Sequence, residues 1–228
     1  MASRLLLWAQ ANGRQFAWRE WRDPYRLLVT EILLRQTRAF TVAGFVDAFY
    51  RSYPDADALA VAREEELADN LKVLGLSLQR ARHLRALASR LVELGDECPR
   101  DLVGLTLLPG IGRYSAGLVA SIGGEPAAAV DTNVARVVCR VFDVEPSHAE
   151  ARKSANIWRI ATELVTTSAE PARTTWAILD LAAALCKIRV PLCDACPLEH
   201  VCLSHLKSSS PEADPPPTTR RHRRVLKV

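Results

Sequence analysis

No apolar run in the 228-residue chain approaches the ~18 residues that would suggest a membrane span, which excludes a helical membrane protein. The N-terminus, MASRLLLWAQANGRQ, lacks the cleavage pattern of an export signal, so the chain reads as soluble, untargeted and cytoplasmic. Alternating β-branched runs are scarce and no repeat of fixed period is present, which sets aside sheet folds and solenoids. A net excess of either charge is also missing from most of the chain. The formal net charge is +4, yet Lys207, Arg220, Arg221, Arg223, Arg224 and Lys227, set against Glu212 and Asp214, account for all of it. A broad basic field is therefore excluded, and any phosphate-binding surface must be local.

What is present is a globular composition, 49% apolar and 25% charged, with Ala and Leu at helical spacing throughout. The length suffices for one sizeable core or two small domains sharing an interface. The fold class is all-α. Asp23-Pro24 supplies an N-cap and a first-turn proline ahead of YRLLVTEILLRQTRAF, predicting one helix there. Further helices are predicted at about 41–52, 63–73, 78–94, 100–107, 113–122, 132–142, 149–167 and 172–185, separated by Gly and Pro turns. The last residues, 206–228, are Pro/Ser-rich and then basic, and predict a disordered tail that either adds non-specific DNA affinity or only solubilises.

Four of the six cysteines fall in CKIRVPLCDACPLEHVC: Cys186, six residues, Cys193, two residues, Cys196, five residues, Cys202. Without an export signal, the chain sits where thiols stay reduced, and such a cluster points to metal over disulfides. Zinc is the nearest rival, but its structural sites use two close cysteine pairs, and only Cys193 and Cys196 are close here. One CxxC with two wider gaps suits a 4Fe-4S cluster better. Its role reads as structural, holding the loop that carries Lys187 and Arg189. Cys98 and Cys139 read as ordinary buried residues.

The other dense motif is LPGIGRYSAG, residues 108 to 117. Gly110 and Gly112 permit left-handed backbone and leave N–H groups uncovered, just where a helix N-terminus supplies orphan donors and partial positive charge. Such a turn holds a phosphate without basic side chains. A plain helix-to-helix turn is the alternative, although Arg113 and the small face of Ser115, Ala116 and Gly117 make the motif more specific. With VDTNVARVVCRVF, DPYRLLVTEILLRQT, LGLSLQRARHLRALA and the four-cysteine loop, the chain resembles the helix-hairpin-helix DNA glycosylases of the endonuclease III superfamily from about Phe16 to Cys202. The resemblance implies two helical domains, a barrel over 20–130 carrying the hairpin and an iron-sulfur domain from 1–19 plus 131–205. It also implies a DNA cleft between them and a target nucleotide rotated out of the stack.

Hydrolytic removal of a base requires stabilisation of positive charge on the sugar and a group that moves protons. Asp131 precedes a predicted helix, where the dipole favours an anion, although an Asp there also serves as a simple N-cap. The segment GGEPAAAVD is long enough to return Asp131 to the start of the helix after the hairpin. Glu31, inside LLVTEILL, invites a raised pKa by burial, against the alternative of a surface ion pair with Arg35. By resemblance, Asp131 matches the superfamily's catalytic carboxylate and Glu31 the proton-transferring Glu of its mismatch-specific branch. Gln36 and Leu76 match residues that fill the gap left by the flipped base, with a core leucine as the alternative for Leu76. Lyase relatives carry Lys where Tyr114 stands, and an amine is what forms a Schiff base. Tyr114 therefore implies a monofunctional enzyme and resembles the thymine-DNA glycosylases of T:G and U:G mispairs. Adenine-removing relatives typically have Ser at this point, a Gln pair where Arg35 departs from the pattern, and a long C-terminal domain. The expected partner is double-stranded DNA containing a mismatch, met by a monomer in the nucleoid. Adenine removal opposite guanine or 8-oxoguanine is the alternative activity, and a non-catalytic DNA-binding protein the alternative class.

Overall fold

In the computed structural model, which describes residues 1–208, every regular element among the described residues is helical. In chain order the helices are α1 (Ala2–Asn12), α2 (Pro24–Leu33), α3 (Ala39–Ser52), α4 (Ala56–Ala60), α5 (Glu64–Asn70), α6 (Ser77–Leu94), α7 (Leu102–Thr106), α8 (Arg113–Ile122), α9 (Thr132–Phe142), α10 (Ala155–Thr166), α11 (Pro171–Ala184) and α12 (Leu203–Ser208). Short acidic caps start several of them. Asp23 accepts from Tyr25 N ahead of α2, Asp55 from Ala58 N ahead of α4, Asp101 from Gly104 N ahead of α7, and Asp131 from Asn133 N and Val134 N ahead of α9. Each satisfies an N–H that the first helical turn leaves without a partner.

Several predicted boundaries move. The helix expected to run through YRLLVTEILLRQTRAF ends at Leu33 and restarts at Ala39, with Gln36 left-handed between them at φ +49°. The cause is tertiary: the Arg80 guanidinium, from α6, takes up carbonyls that a continuing helix would have used. The predicted helix 149–167 divides at Ser154, whose hydroxyl accepts from Ser147 N. The segments forming α4 and α12 lie outside the predicted helices, and α12 takes up residues 206–208 of the predicted tail. The remaining tail, 209–228, lies outside the described residues.

Two main apolar cores organise the chain. One is drawn from residues 16–127, centred on α2, α3 and α6 with Leu28, Ile32, Leu33, Leu84 and Leu87 fully buried. The other combines Leu5 with residues 128–198, mainly from α9, α10 and α11. Between them α8 lies hard against the following extended segment. A Cβ on Gly117 would stand 1.9 Å from Ala128 O, so only glycine lets the helix approach that closely. This contact returns the chain to the start of α8 and places Asp131 there.

Candidate active site

A cavity of about 880 Å³ opens where the hairpin, α2 and the cap of α9 meet. Glu31 comes from α2, Gly110 and Gly112 from the hairpin, Tyr114 and Ser115 from the first turn of α8, and Asp131 from the start of α9. The structure thus brings together residues a hundred positions apart, because Gly117 and the GGEPAAAVD segment fold the chain back on itself.

The two carboxylates sit in opposite surroundings. Glu31 is 8% exposed, and burial raises its pKa from 4.5 to about 7, with a hydrogen bond from Ser115 and the Arg35 charge pulling back and Asp131 adding to the rise. No ion pair joins Glu31 to Arg35 among the described residues; Arg35 instead reaches across the cavity and donates through Nη2 to Gly110 O. Asp131 is held by donors. Its Oδ1 accepts from Asn133 N at 2.8 Å and Val134 N at 2.7 Å, and its Oδ2 from Asn133 Nδ2 at 2.7 Å. Negative charge at that spot is stabilised by the α9 dipole. Tyr114, partly buried, packs with Leu118, Ala129 and Trp176, and burial together with both carboxylates keeps its phenol well above its ordinary pKa. It stays neutral at physiological pH.

In the hairpin, Gly110 alone uses the left-handed region, at φ +74°, and its missing Cβ leaves room for His83 and Ile32. Gly112 is extended at φ −94° and caps α8 without a side chain, in open space. The expectation of a left-handed Gly112 is thus corrected: its contribution is the uncovered N–H groups of α8, not an unusual dihedral. Arg113 is exposed, and its guanidinium stacks 3.9 Å from the Trp158 ring centroid. Trp158 in turn donates to Arg152 O, and Arg152 lines the same cavity. Gln36 and Leu76 flank a smaller cavity beside the first and both stand exposed with φ +49°. Leu76, 49% exposed, is not a core leucine.

Sequence reasoning missed Asn133 and Arg136. Asn133 binds Asp131 through Nδ2 and accepts from Arg136 Nη1 at 3.1 Å. Arg136 then donates to Cys186 O at 2.9 Å and Ala182 O at 3.1 Å. An unbroken chain of hydrogen bonds therefore runs from Asp131 to the cysteine loop. The only hint in the sequence is the i, i+3 spacing of Asn133 and Arg136 on one face of α9.

Cys186, Cys193, Cys196 and Cys202 all line one cavity of about 140 Å³, with Val137, Val141 and Leu181 supplying apolar wall. Arg140 Nη1 lies 3.4 Å from Cys186 Sγ and donates to Lys187 O, fixing one edge of the loop. Among the described residues, no three Cys, His, Asp or Glu side chains converge on the position of a single ion. The four thiols around this cavity are the side chains that could hold a metal or an iron-sulfur group. Cys98 and Cys139, both half-buried, do not line this cavity.

Fold and site together define a helix-hairpin-helix protein, with an uncapped helix start, two carboxylates and an open cavity at one junction. The chain belongs to the HhH-GPD superfamily of base excision DNA repair proteins, whose family model matches residues 29–165. It is 34% identical to a thymine-DNA glycosylase of Aeropyrum pernix, over 88% of this chain and 92% of that protein. It is 36% identical to the adenine DNA glycosylase of Homo sapiens over 87% of this chain but only 38% of that longer protein. Among solved structures it superposes on a thermostable thymine-DNA glycosylase with TM-score 0.80 at 31% identity, covering 90% of this chain and 95% of the other. A non-covalent endonuclease III–DNA complex follows with TM-score 0.74 at 25% identity, covering 90% and 94%.

Proposed function

We propose that the chain is a monofunctional DNA glycosylase that hydrolyses the N-glycosidic bond of thymine or uracil mispaired with guanine. The observation that carries this reading is the convergence of Glu31, Asp131 and Tyr114 in one cavity beside the uncapped start of α8. The reaction breaks the C1′–N bond and forms a C1′–O bond to water; the proton that water sheds is balanced by one taken up by the departing base. Asp131, in its nest of N–H donors, stabilises the positive charge that develops on the sugar. Glu31, with its pKa near 7, exchanges the proton. Tyr114 offers no amine for a Schiff base and walls the base pocket instead. Gly110, Gly112 and Arg113 grip the phosphate backbone, and Gln36 and Leu76 enter the gap left by the flipped nucleotide. A mispaired base costs less to unstack, which contributes selectivity.

The same reading assigns Cys186, Cys193, Cys196 and Cys202 to a 4Fe-4S cluster, supported by the shared cavity and the all-thiol donor set. When bound, the group would tie the loop of Lys187 and Arg189 into one shape; the chemistry at the sugar belongs to the side chains above. The expected finding is about four iron per chain, and stoichiometric zinc would overturn the assignment.

One assay decides the reaction. Purified protein is incubated with duplexes carrying T:G, U:G, A:G, A:8-oxoguanine or thymine glycol, with and without alkali. Cleavage at T:G and U:G that depends on alkali supports the proposal. Cleavage confined to adenine substrates would replace it with the adenine activity, strand breaks without alkali would remove the monofunctional claim, and binding without base release would leave a DNA-binding protein. Single-hit kinetics with protein that sediments as a monomer test the remaining expectation of a solitary enzyme.

A further inference from the structure

We infer that Arg80 is a positioning residue that locks Gln36 and Leu76 into one rigid wedge, so that its guanidinium governs how well the protein opens a base pair. The inference rests on the proposed base-flipping reading of Gln36 and Leu76.

Both residues occupy left-handed backbone, φ +49°, although neither is glycine. Side chains rarely adopt that conformation, so something must hold each loop in it. Arg80 does this for both. It is 3% exposed, in the first turn of α6, and its fork of donors is spent on the backbone of the two loops. Nε donates to Ile32 O at 3.2 Å, Nη2 to Arg35 O at 2.6 Å and to Thr37 Oγ1 at 3.0 Å, and Nη1 to Gly75 O. Gln36 thus sits between two residues bound by Arg80, and Leu76 directly follows a third. Thr37 closes the arrangement by donating from Oγ1 to Leu74 O at 2.9 Å. The loop that carries Gln36 also reaches the hairpin, because Arg35 donates to Gly110 O.

A planar guanidinium with several donors at fixed angles is required here. Lysine keeps the charge but has one nitrogen, which cannot serve carbonyls on both loops at once. No acidic side chain forms an ion pair with Arg80 among the described residues, so its bonds run to neutral carbonyl and hydroxyl oxygens. That is a device for shaping loops. Burial lowers the pKa of both arginines, with the Arg35 charge adding to the effect at Arg80 and the Glu31 charge opposing it at Arg35.

The test separates opening of the pair from everything later. Arg80→Lys and Thr37→Val are compared with wild type for single-turnover base release from two duplexes, uracil opposite guanine and uracil opposite an abasic analogue, where little pairing must be broken. A 2-aminopurine beside the G:U mispair reports unstacking directly. Expected are a 10- to 100-fold slower release from G:U, less than threefold from the duplex with the abasic analogue, and a matching loss of the fluorescence rise. Thr37→Val, which removes one hydroxyl, keeps the test informative if Arg80→Lys unfolds. Equal slowing on both duplexes would show a merely structural arginine, and no slowing on either would also overturn the inference. If wild type releases no base from either duplex, the glycosylase reading has failed. The fluorescence then judges the wedge alone: a rise in wild type that the variants lose supports it, and an equal signal overturns it.

Discussion

Glu31 illustrates what burial does to one side chain. Its carboxyl lies in an apolar helix face, and the cavity around it gives it one hydroxyl partner, Ser115, where Asp131 has three N–H donors. The raised pKa has a consequence for stability. The folded chain holds this proton more tightly than the unfolded chain, so the stabilisation present below pH 4.5 is lost as pH rises through about 7. Replacing Glu31 by Gln should remove that slope, a difference of up to about 3 kcal/mol between acid and neutral pH, read from urea unfolding at several pH values. A parallel pH dependence in both proteins would show that Glu31 titrates normally. The same substitution should slow base release by about two or more orders of magnitude and flatten what remains above pH ~7, since the amide can neither give nor take the proton. Asp131→Asn should leave DNA binding intact while turnover falls by three or more orders of magnitude. Turnover within tenfold of wild type would take Asp131 out of the reaction.

At the scale of elements, helix periodicity and caps were legible, and so were Glu31, Tyr114 and Asp131 as candidates, which the structure brings to one cavity. Asp23, Asp131 and the LPGIG turn are local signals, and each marks a helix start that the structure contains. What sequence concealed depends on distant partners. The break after Leu33 follows from Arg80, and the bonds from Arg136 to Cys186 O and Ala182 O span some fifty residues. No window of periodicity contains either. Gly112 shows a subtler gap, because a glycine in a motif states permission for a dihedral without stating its use. Gly117 is the reverse case, a glycine whose necessity appears only in packing, where it meets a backbone atom that cannot give way. Gly117→Val should destabilise the chain by at least about 3 kcal/mol, near the upper end for overpacked sites, because the neighbour is Ala128 O and not a flexible side chain. Thermal unfolding checks this, and a change below about 1 kcal/mol would mean that α8 can move off the segment.

Across the whole molecule, the cavity lies at the seam between two apolar cores, so its geometry depends on what holds that seam. Two polar contacts cross it. Arg113 stacks on Trp158, and Asp180 gathers the segment after α1 onto α11 through Arg19. The second is the stronger: Asp180 is 2% exposed, pairs with Arg14 Nε at 2.6 Å and Arg19 Nη1 at 2.8 Å, and also accepts from Arg14 N. Arg19 extends over Trp176, at 5.4 Å from a ring centroid, and Trp176 packs in the same small cluster as Tyr114. Burial pushes the Asp180 carboxyl up, but hydrogen bonds and charge from Arg19 and Arg14 outweigh it, and its pKa falls below the ordinary value. The lowered value means that the stabilisation holds above the unfolded pKa and drains away as pH falls through the folded one, the opposite sense to Glu31. Asp180→Ala leaves two partly buried guanidinium groups facing each other, which should cost about 3–5 kcal/mol at neutral pH and much less in acid. Because the loss passes through Arg19 and Trp176 to the wall behind Tyr114, base release should also slow at a temperature where the variant remains folded. Wild-type stability at neutral pH would contradict the clasp, and a wild-type rate in a destabilised variant would separate the seam from the pocket.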